Sequence, residues 1–145
     1  MYRHILIPTD GSELAEHGVA HGLALAKLLK AKVTIIIVEE PVPGWLSFAQ
    51  TGAAAAFAKY EEEIETYSAG VLDRAADAAK QAGVPFDTIQ AKGVAYEAIN
   101  STATDRGCDL IVMASHGRSG LSAMVLGSVT NKVLTYAKTP VLVCR

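Results

Sequence analysis

The chain alternates short apolar runs with longer helical patterns, and this alternation restricts the fold more than any other feature of the sequence. Two of the runs, residues 33–38 and 110–114, are continuously apolar, as expected for strands that helices cover on both faces. This alternation predicts an α/β fold in the order βαβαβαβαβ, a doubly wound sheet of five parallel strands between two layers of helices. The five runs are HILIP (4–8), VTIIIV (33–38), FDTIQA (86–91), LIVMA (110–114) and VLVC (141–144).

Four helical patterns separate the strand-like runs, and their ends carry the usual start and stop signals. The first helix should begin near Ser12, because Asp10 and Glu13 have the spacing of a capping box. In the longest pattern, apolar residues recur every three or four positions, which indicates one face buried against the sheet. The predicted helices cover about residues 12–31, 53–81, 96–106 and 128–137.

Length and composition are typical of one globular domain covering residues 1–145. Apolar residues make up 50% of the chain and charged residues 19%, which is enough for one core, and long disorder is not expected. The formal net charge of -2 gives no general attraction to nucleic acid or anionic membranes. The first apolar stretch is too short for a signal peptide or a membrane span, so we expect a cytoplasmic protein. Cys108 and Cys144 are expected to be reduced packing residues.

Residues 114–134, ASHGRSGLSAMVLGSVTNKVL, are rich in glycine and hydroxyl groups between a strand-like run and a helix. In parallel α/β sheets, ligands bind beyond the carboxyl ends of the strands, where the strand order reverses. The polar strand ends that carry glycine are PTDGS after the first strand and ASHGRSG after the fourth. These two ends form one crevice if the first and fourth strands are neighbours in the sheet.

The start of the last helix is suited to an anion such as phosphate. Glycine lets the backbone approach a ligand closely, and the unpaired amides at a helix N-terminus carry partial positive charge. His116 and Arg118 flank Gly117 and would add donors or cations near a polyanion, or they could face solvent or a partner chain. The alternative is a capped turn in which Ser128 is the N-cap. The residues that open this helix are Gly127, Ser128, Val129 and Thr130.

Several common catalytic and cofactor signatures are missing from the sequence. Neither GxxxxGK[ST] nor GxGxxG occurs, which argues against a P-loop NTPase and an NAD-linked enzyme. A receiver domain would need an aspartate after the third strand, where this chain has AKG. His17 and His21 have the spacing of a metal-binding pair but no third ligand, so no metal site is predicted. No serine lies in a GxSxG turn, and no catalytic residue is predicted.

Three phrases and one glycine pattern are typical of a known family. HILIPTDGSE at the start, DLIVMASHGRSG around the fourth strand and TPVLVCR at the end together resemble the universal stress protein family. Its ATP-binding branch carries Gly-x2-Gly-x9-Gly-[Ser/Thr], matched here by Gly117, Gly127 and Ser128, with Ala114 in place of the first glycine. The resemblance implies a Rossmann-like sheet with the strand order 3-2-1-4-5.

The resemblance also implies which residues hold a nucleotide. Asp10 would accept hydrogen bonds from the ribose, and Val38 would contact the base. Ala114 places a methyl group where the motif has none, and we expect it to be tolerated if that group points away from the ligand. Gly120 adds a glycine that eases the turn. The residues expected at the phosphates are Gly117, Gly127, Ser128, Val129 and Thr130, and those expected at adenine and ribose are Pro8, Thr9, Asp10 and Val38.

The expected ligand is ATP or AMP, with or without Mg²⁺, bound by a stress-response sensor or regulator that has no clear catalytic turnover. Two alternatives stay open: a dimeric scaffold that binds no nucleotide, and a weak ATPase or autophosphorylating protein. No nucleic-acid or membrane partner is expected. The fifth strand would lie at an open edge of the sheet, where bare strands pair readily unless a helix or loop covers them. We therefore expect a homodimer through Val141, Leu142, Val143 and Cys144.

Overall fold

Within the part of the chain that the structure describes, strands and helices alternate in the predicted order. The computed structural model describes residues 1–42, 53–117 and 125–145. None of the described helices combines the length and the apolar character needed to cross a bilayer. The strands are β1 (His4–Pro8), β2 (Lys32–Glu39), β3 (Phe86–Lys92), β4 (Leu110–Ala114) and β5 (Val141–Cys144), and the helices are α1 (Glu13–Leu29), α2 (Ala53–Ala82), α3 (Ala95–Asp105) and α4 (Ser128–Tyr136).

The described strands form one parallel sheet in the order β3-β2-β1-β4-β5. β1 is central, and its Ile5 lies opposite Val33 of β2 on one side and Leu110 of β4 on the other. The strand order reverses between β1 and β4, so the carboxyl ends of these two strands are neighbours. The predicted Rossmann-like fold and its strand order are confirmed.

Side chains of the sheet alternate between two apolar clusters, one on each face. Ile5 and Ile7 pack with residues of α1 and α2, whereas Leu6 packs on the opposite face with residues of α3 and α4. These three side chains are fully buried, and burial of each contributes about 1.5–3 kcal/mol to stability. Helices on both faces explain why the sequences of β2 and β4 are continuously apolar.

Two glycines bring α1 close to the sheet. A Cβ atom at Gly22 would collide with the side chain of Ile7, and a Cβ atom at Gly18 would lie 3.2 Å from the backbone nitrogen of Ala114. α1 therefore packs against β1 and β4 with no side chain of its own at these two points. This close contact fixes the first turn of α1 beside the carboxyl ends of both strands.

The start of α1 differs from the predicted capping box. Ser12 is the N-cap residue, and its hydroxyl accepts a hydrogen bond from the amide of Ala15 at 3.2 Å. Asp10 lies before the helix and accepts at Oδ1 from the amide of Ser12 at 3.0 Å. The predicted pairing of Asp10 with Glu13 is wrong, because an aspartate can close its own turn by bonding to an amide two residues later.

Both cysteines are free and lie against the apolar clusters, which fits their predicted packing role. Burial raises the pKa of the Cys108 thiol to about 11. The reactive thiolate form of Cys108 is therefore scarce at neutral pH.

Candidate functional site

A cleft opens at the carboxyl edge of the sheet, where the ends of β1 and β4 meet. Its walls come from the ends of β1, β2 and β4, from the residues that follow β4, and from the first turns of α1, α3 and α4. The lining residues are Pro8, Thr9, Asp10, Ala15, Ile36, Val38, Ala95, Ile99, Met113, Ala114, His116, Gly117, Gly127, Ser128, Val129 and Thr130.

The cleft brings together every predicted site residue that the structure describes. Pro8, Thr9 and Asp10 at the end of β1 and the described residues at the end of β4 line the same cleft, as expected from their positions beside the reversal of strand order. Arg118 and Gly120 lie outside the described residues. The part that each lining residue takes in binding stays a prediction.

Five lining residues were not predicted from the sequence, and most of them are apolar side chains on one face of the sheet. Ile36, Ile99 and Met113 belong to the apolar cluster under α3 and α4. Ile36 lies two residues before Val38 on β2, so strand alternation places both on the same face. This alternation was the available signal for Ile36, whereas Ala95 and Ile99 depend on the packing of α3. The unpredicted lining residues are Ala15, Ile36, Ala95, Ile99 and Met113.

The N-terminus of α4 presents backbone donors at the cleft. Gly127 is the N-cap residue, and as a glycine it has no side chain that could cap the helix. The first intrahelical hydrogen bond runs from the amide of Asn131 to the carbonyl of Gly127 at 2.9 Å. The amides of Ser128, Val129 and Thr130 therefore precede the helical ladder, and their N–H groups suit an anionic ligand. The alternative in which Ser128 is the N-cap is wrong.

Two groups at the start of α4 that were expected to face a ligand instead donate hydrogen bonds within the protein. The amide of Gly127 donates to the carbonyl of Ser115 at 2.8 Å. The hydroxyl of Thr130, a residue with 3% exposure, donates to the carbonyl of Ala114 at 2.9 Å. These bonds tie the start of α4 to the end of β4. Ser128 is exposed, so its hydroxyl and amide lie at the open side of the cleft.

Charge distinguishes α4 from the other two helices whose first turns meet the cleft. The first turn of α1 contains Glu13 and Glu16, and that of α3 contains Glu97. A carboxylate oxygen of Glu40 also lies 3.5 Å from the amide of Ala95 at the start of α3. The first turn of α4 carries no acidic residue. Because carboxylates already neutralise the positive ends of α1 and α3, a negative ligand group is favoured at α4.

Protein atoms lie close to both motif glycines, so neither position has much room for a side chain. A Cβ atom at Gly117 would collide with Oδ2 of Asp10. A Cβ atom at Gly127 would lie 3.2 Å from both the Cα of His116 and the carbonyl oxygen of Ser115. The carboxylate of Asp10 therefore rests directly against the loop that follows β4.

The imidazole of His116 contacts the hydroxyl of Ser115 through one of its two nitrogens. Its Nδ1 lies 2.9 Å from the hydroxyl oxygen of Ser115, a residue with 2% exposure. Its Nε2 is buried and has no hydrogen-bond partner among the described residues. Contact with Ser115 fixes the orientation of the ring at the wall of the cleft.

Comparison with known proteins identifies the family of the chain. The sequence model for the Universal stress protein family matches residues 1–145. The chain belongs to the universal stress protein family. Universal stress protein MJ0577 of Methanocaldococcus jannaschii is 34% identical over an alignment of 156 residues, gaps included. The alignment covers 100% of this chain and 96% of the relative. Universal stress protein YxiE of Bacillus subtilis is 34% identical over 150 residues, with 100% of both chains covered.

Solved universal stress protein structures share the fold over nearly the whole chain. The structure of MJ0577 superposes with a TM-score of 0.76 at 31% identity and covers 99% of this chain and 95% of its own. A universal stress protein crystallised in complex with cAMP superposes with a TM-score of 0.70 at 25% identity and covers 99% of this chain and 97% of its own.

In this universal stress protein, the departure from the family motif at Ala114 is accommodated by α1. Ala114 ends β4 and is 7% exposed. Its Cβ lies 3.6 Å from the point that a Cβ at Gly18 would occupy. The methyl group therefore points toward the glycine of α1, which leaves room for it. This orientation is the one in which the substitution was expected to be tolerated.

Proposed function

We propose that this universal stress protein binds an adenine nucleotide in the cleft, with the phosphates at the N-terminus of α4. The observation that carries the proposal is the start of α4 itself, where the amides of Ser128, Val129 and Thr130 precede the helical ladder and the N-cap residue, Gly127, has no side chain to cap them. A helix N-terminus of this kind favours phosphate through hydrogen bonds and through the helix dipole. The carboxylates at the starts of α1 and α3 make those two positions unfavourable for the same group.

The remaining walls of the cleft suit the base and the sugar. Val38 is partly exposed and offers apolar surface for a planar base, and it packs on the buried cluster that contains Ile36 and Met113. Asp10 lies between this surface and the loop that follows β4, and its carboxylate is suited to accept hydrogen bonds from ribose hydroxyls. The fold neighbour crystallised with cAMP supports an adenine nucleotide as the ligand.

We further propose that the bound ligand is ATP or AMP, with or without Mg²⁺, and that its binding serves a sensor or regulator of the stress response in the cytoplasm. Residues 1–145 would act as one universal stress protein domain. No catalytic residue is assigned to the cleft.

A homodimer through β5 is proposed from the position of that strand. β5 is the edge of the described sheet, and its Leu142 is 44% exposed. The carbonyls of Pro140 and Cys144 accept hydrogen bonds from residues at the two ends of β4. Since backbone groups alternate in direction along a strand, those of Val141 and Val143 face outward and are placed to pair with a second copy.

Calorimetric titration of nucleotide-free protein with ATP, AMP, adenosine and GTP tests the proposed ligand. We expect ATP and AMP to bind more tightly than adenosine by about tenfold or more, because charge-assisted hydrogen bonds are worth about 1.5–3 kcal/mol each. GTP should bind more weakly than ATP. Absence of binding by any nucleotide, or equal affinity for adenosine and ATP, contradicts the proposal.

Two variants of Ser128 test the position of the phosphates. Ser128→Pro removes the first amide of α4, and proline is well tolerated at the first position of a helix. Gly127 precedes it with φ -57 and ψ 151, a backbone conformation that the residue before proline readily adopts. Ser128→Ala keeps the amide and removes only the hydroxyl. If the amide holds phosphate, the proline variant loses at least several-fold more affinity for ATP than the alanine variant. Equal affinities would place the phosphates elsewhere.

A further inference from the structure

We propose that Tyr67 of α2 is a positioning residue for Asp10 and sets how strongly the cleft recognises ribose hydroxyls; this inference rests on the proposed function. The hydroxyl of Tyr67 donates a hydrogen bond to the backbone carbonyl of Asp10 at 3.1 Å. Tyr67 is not among the described residues that line the cleft, and its hydrogen bond to Asp10 links it to the cleft.

The turn between β1 and α1 is shaped to receive Tyr67. Gly11 has a left-handed backbone with φ +78, which disfavours any residue with a side chain. A Cβ atom at Gly11 would lie 2.5 Å from both the hydroxyl oxygen of Tyr67 and Cγ2 of Val71. The absence of a side chain therefore lets α2 approach the turn closely enough for the hydroxyl to reach the carbonyl of Asp10.

The backbone of Asp10 determines where its carboxylate lies. Oδ1 accepts from the amide of Ser12 at 3.0 Å, and Oδ2 lies against Gly117 in the loop that follows β4. The carboxylate is thus held between two loops, with its main-chain carbonyl fixed from the other side by Tyr67. A small rotation of this peptide would move the carboxylate relative to the sugar, and binding interactions depend on placement to within about 0.5 Å.

Loss of the Tyr67 hydroxyl should affect recognition more than stability. Tyr67 is 41% exposed, so water can replace its hydroxyl at the carbonyl of Asp10. Its ring would keep its packing position in Tyr67→Phe. The turn would then lose one restraint while the apolar clusters stay intact.

The test compares Tyr67→Phe with Tyr60→Phe, a matched change on the same helix at a tyrosine that is 50% exposed. Dissociation constants are measured for ATP and for 2′,3′-dideoxy-ATP, which lacks the ribose hydroxyls. The wild-type protein should prefer ATP. In Tyr67→Phe this preference should fall by about threefold or more, the scale of one hydrogen bond. Tyr60→Phe should keep the wild-type ratio, and the ligand-free melting temperatures should differ little.

Three results would overturn the inference while leaving nucleotide binding in place. The first is an unchanged ratio in Tyr67→Phe. The second is an equal loss of affinity for both nucleotides, which is the signature of a merely structural role. The third is a wild-type protein that binds the two nucleotides equally, because Asp10 then does not hold the ribose. A wild-type protein that binds neither nucleotide would instead overturn the proposed function, and this inference with it.

Discussion

Asp10 and Gly117 are in direct contact at the cleft, and the identity of each restricts the other. The carboxylate of Asp10 occupies the space that any side chain at Gly117 would need. A glycine at this position thus allows the carboxylate of Asp10 to lie directly against the segment that follows β4. The consequence is a direct contact between the end of the first strand and Gly117, just after β4.

We predict that Gly117→Ala lowers the free energy of unfolding by less than the ~1–3 kcal/mol usual for overpacking in a core, because the colliding oxygen is the end of a side chain. The same change in an Asp10→Ala background should cost much less, because the colliding oxygen is gone. Urea unfolding of the two single variants and the double variant measures this coupling. Gly70→Ala is the control, since its Cβ would meet nothing closer than 3.8 Å and alanine favours a helix. An equal penalty in both backgrounds would show that Asp10 does not restrict Gly117.

At the scale of secondary structure, the amino ends of three neighbouring strands share a polar network far from the cleft. Nε2 of His4 lies 2.8 Å from the hydroxyl oxygen of Thr34, and that hydroxyl donates to Asp87. Arg106, just after α3, pairs with the same carboxylate at 2.7 Å. The network joins β1, β2 and β3 on the face covered by α3.

This network predicts a stability that depends on pH through His4, which is 6% exposed. The pKa of His4 is lowered from 6.5, first by burial and then by the charge of Lys32, against the opposing effects of Asp87, Arg106 and Asp109. The unfolded chain therefore binds the proton more tightly than the native protein does. The free energy of unfolding should decrease as the pH falls through 6.5 toward the lower native pKa.

Urea unfolding at several pH values between about 5.5 and 8 measures this effect, with His4→Gln as the comparison. Glutamine keeps a hydrogen-bonding group near Thr34 but does not titrate. As the pH falls, the free energy of unfolding of the wild type should decrease relative to that of the variant. A difference that is constant with pH would show that His4 is not responsible.

The helices and strands could be predicted closely because each carries its own local pattern. The continuous apolar character of residues 33–38 and 110–114 is a property of those segments alone, and both were found as buried strands. The predicted capping box of α1 was wrong. Asp10 and Ser12 can both accept a hydrogen bond from a backbone amide at the start of the helix, and the sequence does not show which amide each of them bonds.

The cleft was only partly predictable, because some of its features depend on contacts between distant segments. Glycine spacing and strand ends indicated both loops of the site. The hydrogen bond from the Gly127 amide to the carbonyl of Ser115 depends on how α4 packs against β4. The contact of Gly117 with Asp10 depends on how the turn after β1 packs against the end of β4. No local pattern in the sequence reports such packing.

At the scale of the whole molecule, the strand order separates the cleft from the proposed dimer surface. The cleft lies where β1 and β4 meet, whereas β5 lies at the edge of the described sheet. A second copy could pair along β5 and leave the cleft open to a nucleotide.

We predict that Leu142→Lys converts a dimer into a monomer, because a charge on the edge strand opposes pairing. Leu28→Lys is the matched control, since Leu28 is 82% exposed and belongs to α1 and not to the edge strand. Sedimentation equilibrium should give a dimer mass for the wild type and the Leu28 variant and about half that mass for the Leu142 variant. A monomeric wild-type protein, or a dimeric Leu142 variant, would contradict assembly through β5.

The most direct test of nucleotide binding at α4 is an amide-resolved NMR titration of the isotopically labelled protein with ATP. The amides of Ser128, Val129 and Thr130 should show large shifts that saturate together, because their N–H groups would bond to phosphate. The amide of Arg3, which donates to Asp109 at the opposite end of the sheet, should stay nearly unchanged. Shifts at α4 no larger than the shift of Arg3 under saturating ATP would contradict the proposed phosphate site.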